Sequence, residues 1–286
     1  MIRLTESGVH AREIEEVFHP GDPGVWFNPE WESRFPWLAQ GITGRKGPDG
    51  KAPRNFARFA DPPAKRVRHA WEALGNSLDF PRIAHSRQVH GRQVSLYEWV
   101  PSDSLPSEHD PTSEEGPKVE EGRMILGPDA DGHLTSSPGV LLAVTVADCV
   151  PVFLVDPGKR VAGLLHAGWR GTVVGVLERG IDLISREFEC GPGDLHVHLG
   201  PAICGECYEV GPEVHMAMGL PDPGDPSPVD IRGHLTSRAL ELGVQESNLT
   251  RSSWCTLCEG SPFFSHRRGD AERQVGFLGV RLPTDG

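Results

Sequence analysis

The chain has 286 residues, 37% of them apolar, and a formal charge of −12. That length fills one large domain or two small ones around a sizeable core. The acidic balance speaks against a nucleic-acid partner, since coating phosphate needs a basic face. No apolar run approaches the roughly 20 residues that span a bilayer. The N-terminus, MIRLTESGVHAREIEEVF, carries charges where a signal peptide needs an apolar stretch. A cytoplasmic protein with no membrane partner is expected. Six cysteines are too few for a disulfide scaffold in a chain this long, and cysteine near histidine points to metal or catalysis.

In chain order, residues 1–35 read as an N-terminal extension, within which HAREIEEVF suggests a short helix. The domain proper is expected over 36–286. Prolines open a helix over 61–75, apolar residues recur at Val67, Ala70, Trp71 and Leu74, and Gly75 is expected to end it. Segment 101–123 is rich in Pro, Ser and Glu, buries little, and reads as a mobile surface insertion. Short apolar runs at Val140–Val146, Val152–Val155 and Val161–Leu165 read as buried strands. A helix is expected over Thr172–Phe188, a strand over His196–Leu199, a Pro-rich loop over 219–229 and a helix over 231–242. Strands close the chain near 249–254 and 275–281. No internal repeat is visible. This mixture leaves α/β and α+β both open.

Three short motifs carry the chemistry: Gln88-Val89-His90-Gly91, Ala147-Asp148-Cys149-Val150-Pro151 and His166-Ala167-Gly168-Trp169-Arg170-Gly171. Each puts a potential metal ligand at or just after the end of an expected strand, where the backbone holds a side chain firmly while loops leave room for a substrate. Two imidazoles and one thiolate make a three-ligand zinc set with a position left for water or substrate. Taken singly, a buried cysteine such as Cys149 is more often a small core residue, and either histidine more often a satisfied structural one, than a ligand.

The segment DADGHLTSSPGVLLAVTVADCVPVFLVDPGKRVAGLLHAGWRGT, with QVHG before it and GPAIC, CYEVGPEV and FFSHRR after it, resembles the core of the YfiH-like family, also called multicopper polyphenol oxidase or laccase-domain proteins. The likeness runs over about residues 35–282. It implies a single compact α+β domain of mixed β-sheets packed with helices. It also implies purine nucleoside phosphorylase activity on adenosine, inosine or methylthioadenosine, with adenosine deaminase activity beside it. The family's zinc ligands correspond to His90, Cys149 and His166. Small-molecule nucleoside and phosphate are then the partners.

Within that frame, Arg170, Arg267 and Arg268 are candidates to hold phosphate, because a guanidinium donates hydrogen bonds in pairs; surface ion pairing is the alternative. Asp148 is a candidate acid or base, or the partner that orients a neighbouring imidazole. Phe264 and Trp169 are candidates to stack on a base, or else core aromatics. His85 and Ser86 line the pocket or are loop polars. The pairs Cys204-x-x-Cys207 and Cys255-x-x-Cys258 suggest structural zinc, a disulfide or packed thiols. They lie farther apart than the about 15–20 residues usual for a closed zinc site.

Two other functions compete. Copper binds such a His/Cys set more tightly than zinc in vitro, so polyphenol oxidation is an alternative, but a multicopper cluster needs paired histidines and His196-x-His198 is the single such pair. A cell-wall precursor editing enzyme, or a binding module braced by zinc, is the other. The sequence does not set the oligomeric state.

Overall fold

The computed structural model describes residues 11–19, 24–45, 55–57, 65–99, 118–119 and 123–283. Two large mixed sheets dominate it. One has seven strands in the order Arg12–Ile14, Leu249–Ser252, His196–Leu199, Val150–Asp156, Val161–Ala167, Gly132–Thr135 and Val94–Leu96. The other has eight, in the order Val17–His19, Val25–Phe27, Leu38–Thr43, Gln274–Val280, Val140–Val146, Arg82–His85, Met124–Leu126 and Lys118–Val119. The fold is α+β, as the resemblance implies.

The central strands are apolar on both faces because both faces are covered. Along Val140–Val146 the side chains alternate. Val140, Leu142, Val144 and Val146 pack toward Phe153, Val155, Ala162 and Leu164 of the other sheet. Leu141 and Ala143 pack outward with Val67, Trp71, Leu74 and Leu78 of the helix Lys65–Leu78. In the seven-stranded sheet, Val152, Leu154 and Leu165 meet Leu177, Ile181 and Ile184 of the helix Val176–Phe188 and Leu235 and Ala239 of the helix Ile231–Glu241. The result is four layers: helix, sheet, sheet, helices.

Most expected elements are present, with instructive differences. The helix at Lys65–Leu78 runs through Gly75. A Cβ there would lie 3.0 Å from Arg123 Cδ and 3.1 Å from Ile83 Cδ1, so this glycine serves close packing and does not cap the helix. The single helix expected over Thr172–Phe188 is two, Trp169–Val173 and Val176–Phe188, broken where Gly175 adopts φ +84°. A two-residue strand, Ser227–Pro228, occupies part of the expected 219–229 loop.

The stretch expected as an extension is interleaved with both sheets wherever it is described. Arg12–Ile14 pairs in parallel with Thr250–Ser252, and Val17–His19 pairs with Val25–Phe27, which in turn pairs with the strand Leu38–Thr43. Over its described residues, the stretch expected as a short helix, HAREIEEVF, is therefore two strands. So short a helix is marginal alone, whereas a sheet edge supplies hydrogen-bond partners. Asn28 caps the helix Pro29–Arg34, accepting from the N–H groups of Glu30 and Trp31, and Trp31 is buried against the core. The insertion expected at 101–123 lies outside the described residues except for Lys118–Val119 and Arg123. No described helix is long and apolar enough to cross a membrane.

Candidate metal centre

Cys149 sits where the chain crosses between the sheets. It follows Val140–Val146 of the eight-stranded sheet and precedes Val150–Asp156 of the seven-stranded one. His166 lies on the neighbouring strand Val161–Ala167, in register with Pro151. His90 comes from the loop after Arg82–His85. The three ligand atoms all lie within 4.8 Å of one another, and the two imidazoles cross at 76° with centroids 4.9 Å apart. The trio expected from the sequence is thus assembled. His166 is buried, Cys149 half-buried and His90 exposed, so the group opens to solvent on the His90 side.

Asp131, which sequence reasoning did not single out, organises two of the three candidate ligands. Its Oδ1 accepts from the His90 backbone N–H at 3.0 Å and from His166 Nδ1 at 2.9 Å, while Oδ2 accepts from the N–H groups of Val89 at 3.2 Å and Gly91 at 2.7 Å. Binding of Nδ1 by a carboxylate leaves His166 Nε2 for a metal. Three N–H donors in succession offset the strain of His90, whose φ is +58°. Gln88 anchors the same loop: its amide donates to Thr145 O at 2.8 Å, and its Oε1 accepts from the Thr145 N–H at 2.8 Å.

The electrostatics suit a cation. Burial opposes ionisation of Cys149, but His166 and His90 outweigh it and bring the thiol down to about 6. Burial likewise opposes protonation of His166, yet the charges of Cys149 and Asp131 raise it to about 9. Burial would lift Asp131, but its bonds to His166 and the loop N–H groups hold it below the usual carboxylate range. A thiolate and two imidazoles, one held by a buried carboxylate, fit a divalent zinc or copper ion in donor type and spacing. Gly168 makes room for the group: a Cβ there would lie 3.0 Å from both Cys149 Sγ and His90 Cδ2.

Asp148, adjacent to Cys149, adopts φ +82°. Its Oδ1 accepts from Thr256 Oγ1 at 2.6 Å and its Oδ2 from the Arg267 N–H at 2.7 Å. The orienting of an imidazole, one role considered for Asp148, is performed by Asp131, because the strand order places that carboxylate behind His166.

Beside the trio lies a half-buried residue that the sequence did not flag, Tyr208. Burial, and then the charge of Cys149, push its hydroxyl up to about 12, while Arg267 and Arg170 pull the other way. The Arg267 guanidinium sits over the Tyr208 ring at 5.1 Å and donates to Glu209 O. Arg170 is exposed, with its guanidinium over Trp169 at 4.3 Å. Arg268 is tied to Asp270 and Phe263 O. Phe264 is 2% exposed, which leaves no face for a base, and the Arg45 guanidinium lies over its ring. His85 and Ser86 are buried too, bonded to Ala143 O and the Tyr97 hydroxyl.

Comparison with known proteins identifies the family. The model of the family described as "Multi-copper polyphenol oxidoreductase laccase" matches residues 44–281. YlmD of Geobacillus stearothermophilus, called a purine nucleoside phosphorylase, is 38% identical over 86% of this chain and 92% of its own. Its crystal structure covers 93% of this chain and 100% of its own, with a TM-score of 0.76 and 27% identity. The protein called adenosine deaminase RL5, from an unknown prokaryotic organism, is 34% identical over 52% of this chain and 61% of its own. The structure of a hypothetical YfiH protein of Bacillus licheniformis shares the fold, with a TM-score of 0.76 over 92% of this chain and 99% of that one at 23% identity. The chain belongs to this laccase-domain family, of which YfiH and YlmD are representatives.

Proposed function

We propose that the protein is a zinc-dependent purine nucleoside phosphorylase acting on adenosine, inosine and methylthioadenosine, with adenosine deamination as a second reaction at the same site. The observation that carries this reading is a metal group of only three protein side chains, His90, Cys149 and His166, among the described residues, with an open side. Structural zinc sites usually close all four positions. The names of the relatives YlmD and RL5 supply the substrate class.

His90, Cys149 and His166 would hold the metal, which supplies Lewis acidity toward an anionic oxygen. The protein's own groups do the rest. Arg170 and Arg267 bring positive charge to the mouth of the site and suit phosphate. The Tyr208 hydroxyl, a phenol protonated at neutral pH as any tyrosine is and pushed further up by burial, donates a hydrogen bond to an oxygen of phosphate or sugar. In phosphorolysis a phosphate oxygen bonds to C1′, the C1′–N9 bond breaks, and its electron pair leaves with the purine, which takes up a proton. In deamination water replaces the 6-amino group of adenosine, giving inosine and ammonia. With both oxygens engaged, Asp148 acts as a positioning residue that fixes the turn presenting Cys149 and the backbone of Arg267. Arg268 and Phe264 support the same loop from within.

Polyphenol oxidation, suggested by the family's description, finds less support. The one His-x-His pair is buried in the seven-stranded sheet, and His198 is bonded to Thr250 and Glu16.

The test is a product assay of the zinc-loaded protein with adenosine, inosine and methylthioadenosine, with and without phosphate. Free base that appears only with phosphate is expected, together with loss of activity in Cys149→Ala. Absence of turnover with all three nucleosides would overturn the reading.

A further inference from the structure

The four cysteines of the two C-x-x-C pairs, far apart in sequence, meet in space. The reason is the order of the seven-stranded sheet. His196–Leu199 and Leu249–Ser252 are parallel neighbours, with Val197 opposite Leu249 and Leu199 opposite Arg251. Their C-terminal ends therefore lie side by side. The pairing continues past them through a parallel bridge between Ala202 and Cys255, with Thr256 N–H donating to Ala202 O at 3.1 Å. Each strand end carries one C-x-x-C turn, so a long chain separation becomes a short distance.

The sulfurs of Cys204, Cys207, Cys255 and Cys258 all lie within 4.8 Å of one another, and all are free thiols. Cys258 Sγ lies 3.7 Å from Cys207 Sγ and 4.0 Å from Cys204 Sγ. A tetrahedron with metal–sulfur bonds of about 2.3 Å has edges of about 3.8 Å. Backbone N–H groups point at the sulfur, as they do where thiolates are held: Cys255 Sγ accepts from Cys204 N at 3.3 Å and from Leu257 N at 3.4 Å. We propose that Cys204, Cys207, Cys255 and Cys258 form a second metal site, a closed tetrathiolate that binds one structural zinc ion, separate from the His90–Cys149–His166 group.

A dication at the centre would favour the thiolate form of all four sulfurs, so its binding releases their protons. Four soft sulfurs in a tetrahedron select zinc or iron over harder ions. The cluster also abuts the active loop. Thr256, inside the second turn, donates to Asp148 Oδ1, and Ile203, next to Cys204, donates its N–H to Asp148 O at 3.1 Å.

Metal analysis of the full-length protein, purified under reducing conditions, tests this. Wild type is expected to hold two zinc equivalents per chain. Cys149→Ala should lose one and keep the other, and Cys207→Ser should do the same at the opposite site. Cobalt substituted into Cys149→Ala should give the intense visible bands of a tetrahedral tetrathiolate. Should Cys207→Ser fail to fold, two measurements remain. Cys258→His, which keeps a ligand, should retain both metals. In native wild type the four thiols should resist alkylation until a chelator is added. A single zinc that vanishes in Cys149→Ala, iron in place of the second zinc, or a disulfide among the four cysteines would each overturn the proposal. None of these outcomes depends on nucleoside turnover, so the assay of the proposed activity fails or succeeds separately.

Discussion

Asp131 Oδ1 receives His166 Nδ1 at 2.9 Å and the N–H of His90 at 3.0 Å, so one buried carboxylate fixes the ring of one proposed metal ligand and the backbone of another. Removing its charge while keeping its shape should therefore strike the metal before the fold. Asp131→Asn is expected to weaken zinc binding roughly 10- to 100-fold, the range for partners of metal-bound histidines. Competition with a chromophoric chelator measures this. An unchanged zinc affinity would mean that Asp131 only stabilises the loop.

The tight passage at Gly168 offers a purely steric test. Its φ of −81° suits any residue, but a Cβ would lie 3.0 Å from the sulfur of Cys149 and from the ring of His90. Gly168→Ala is expected to lower zinc occupancy markedly while the thermal midpoint of the metal-free protein shifts by no more than a few degrees. Full zinc occupancy in the variant would show that the site yields without cost.

The N-terminal strands should contribute to the stability of the whole domain. Glu16 is 3% exposed, accepts from Ser252 Oγ at 2.6 Å, and is hydrogen-bonded to His198 Nε2 at 2.8 Å. Glu16→Ala strands two buried partners and should cost about 3 kcal/mol, within the range for hydrogen bonds to a charged group plus unsatisfied remnants. Urea unfolding reads this directly. A loss under about 0.5 kcal/mol, the level of ordinary surface substitutions, would mean that this segment is a removable appendage.

Two buried histidines give the stability a pH dependence of defined sign. Burial, aided by the charge of Arg34, holds His196 down at about 4, and burial with His85 nearby holds His133 at about 3. As pH falls below about 6.5 the unfolded chain takes up protons that the native state refuses. Stability is thus full above that value and declines toward about pH 4, by about 1.4 kcal/mol per pH unit for each histidine. His196→Gln should reduce the slope of unfolding free energy between pH 6 and 4.5 by about one proton's worth, whatever its effect at neutral pH. An identical slope in the variant would place the His196 proton elsewhere.

The sequence by itself determined the strand Val140–Val146 to the residue, because a buried strand declares itself in a near-continuous apolar run, and also the alternating strand His196–Leu199. It also named His90, Cys149 and His166, since each sits in a compact motif at a strand end, and its resemblance to the YfiH-like family tied the three together. Only the tertiary structure decided which distant residues meet. Asp131 reaches His166 because Gly132–Thr135 and Val161–Ala167 are adjacent strands. The two C-x-x-C pairs converge because two parallel strands end side by side. Arg12–Ile14 and Val17–His19 became strands because sheet edges were waiting for them. Local periodicity is written in neighbouring residues, but sheet order is settled by the burial of whole faces, and no short stretch of sequence records it.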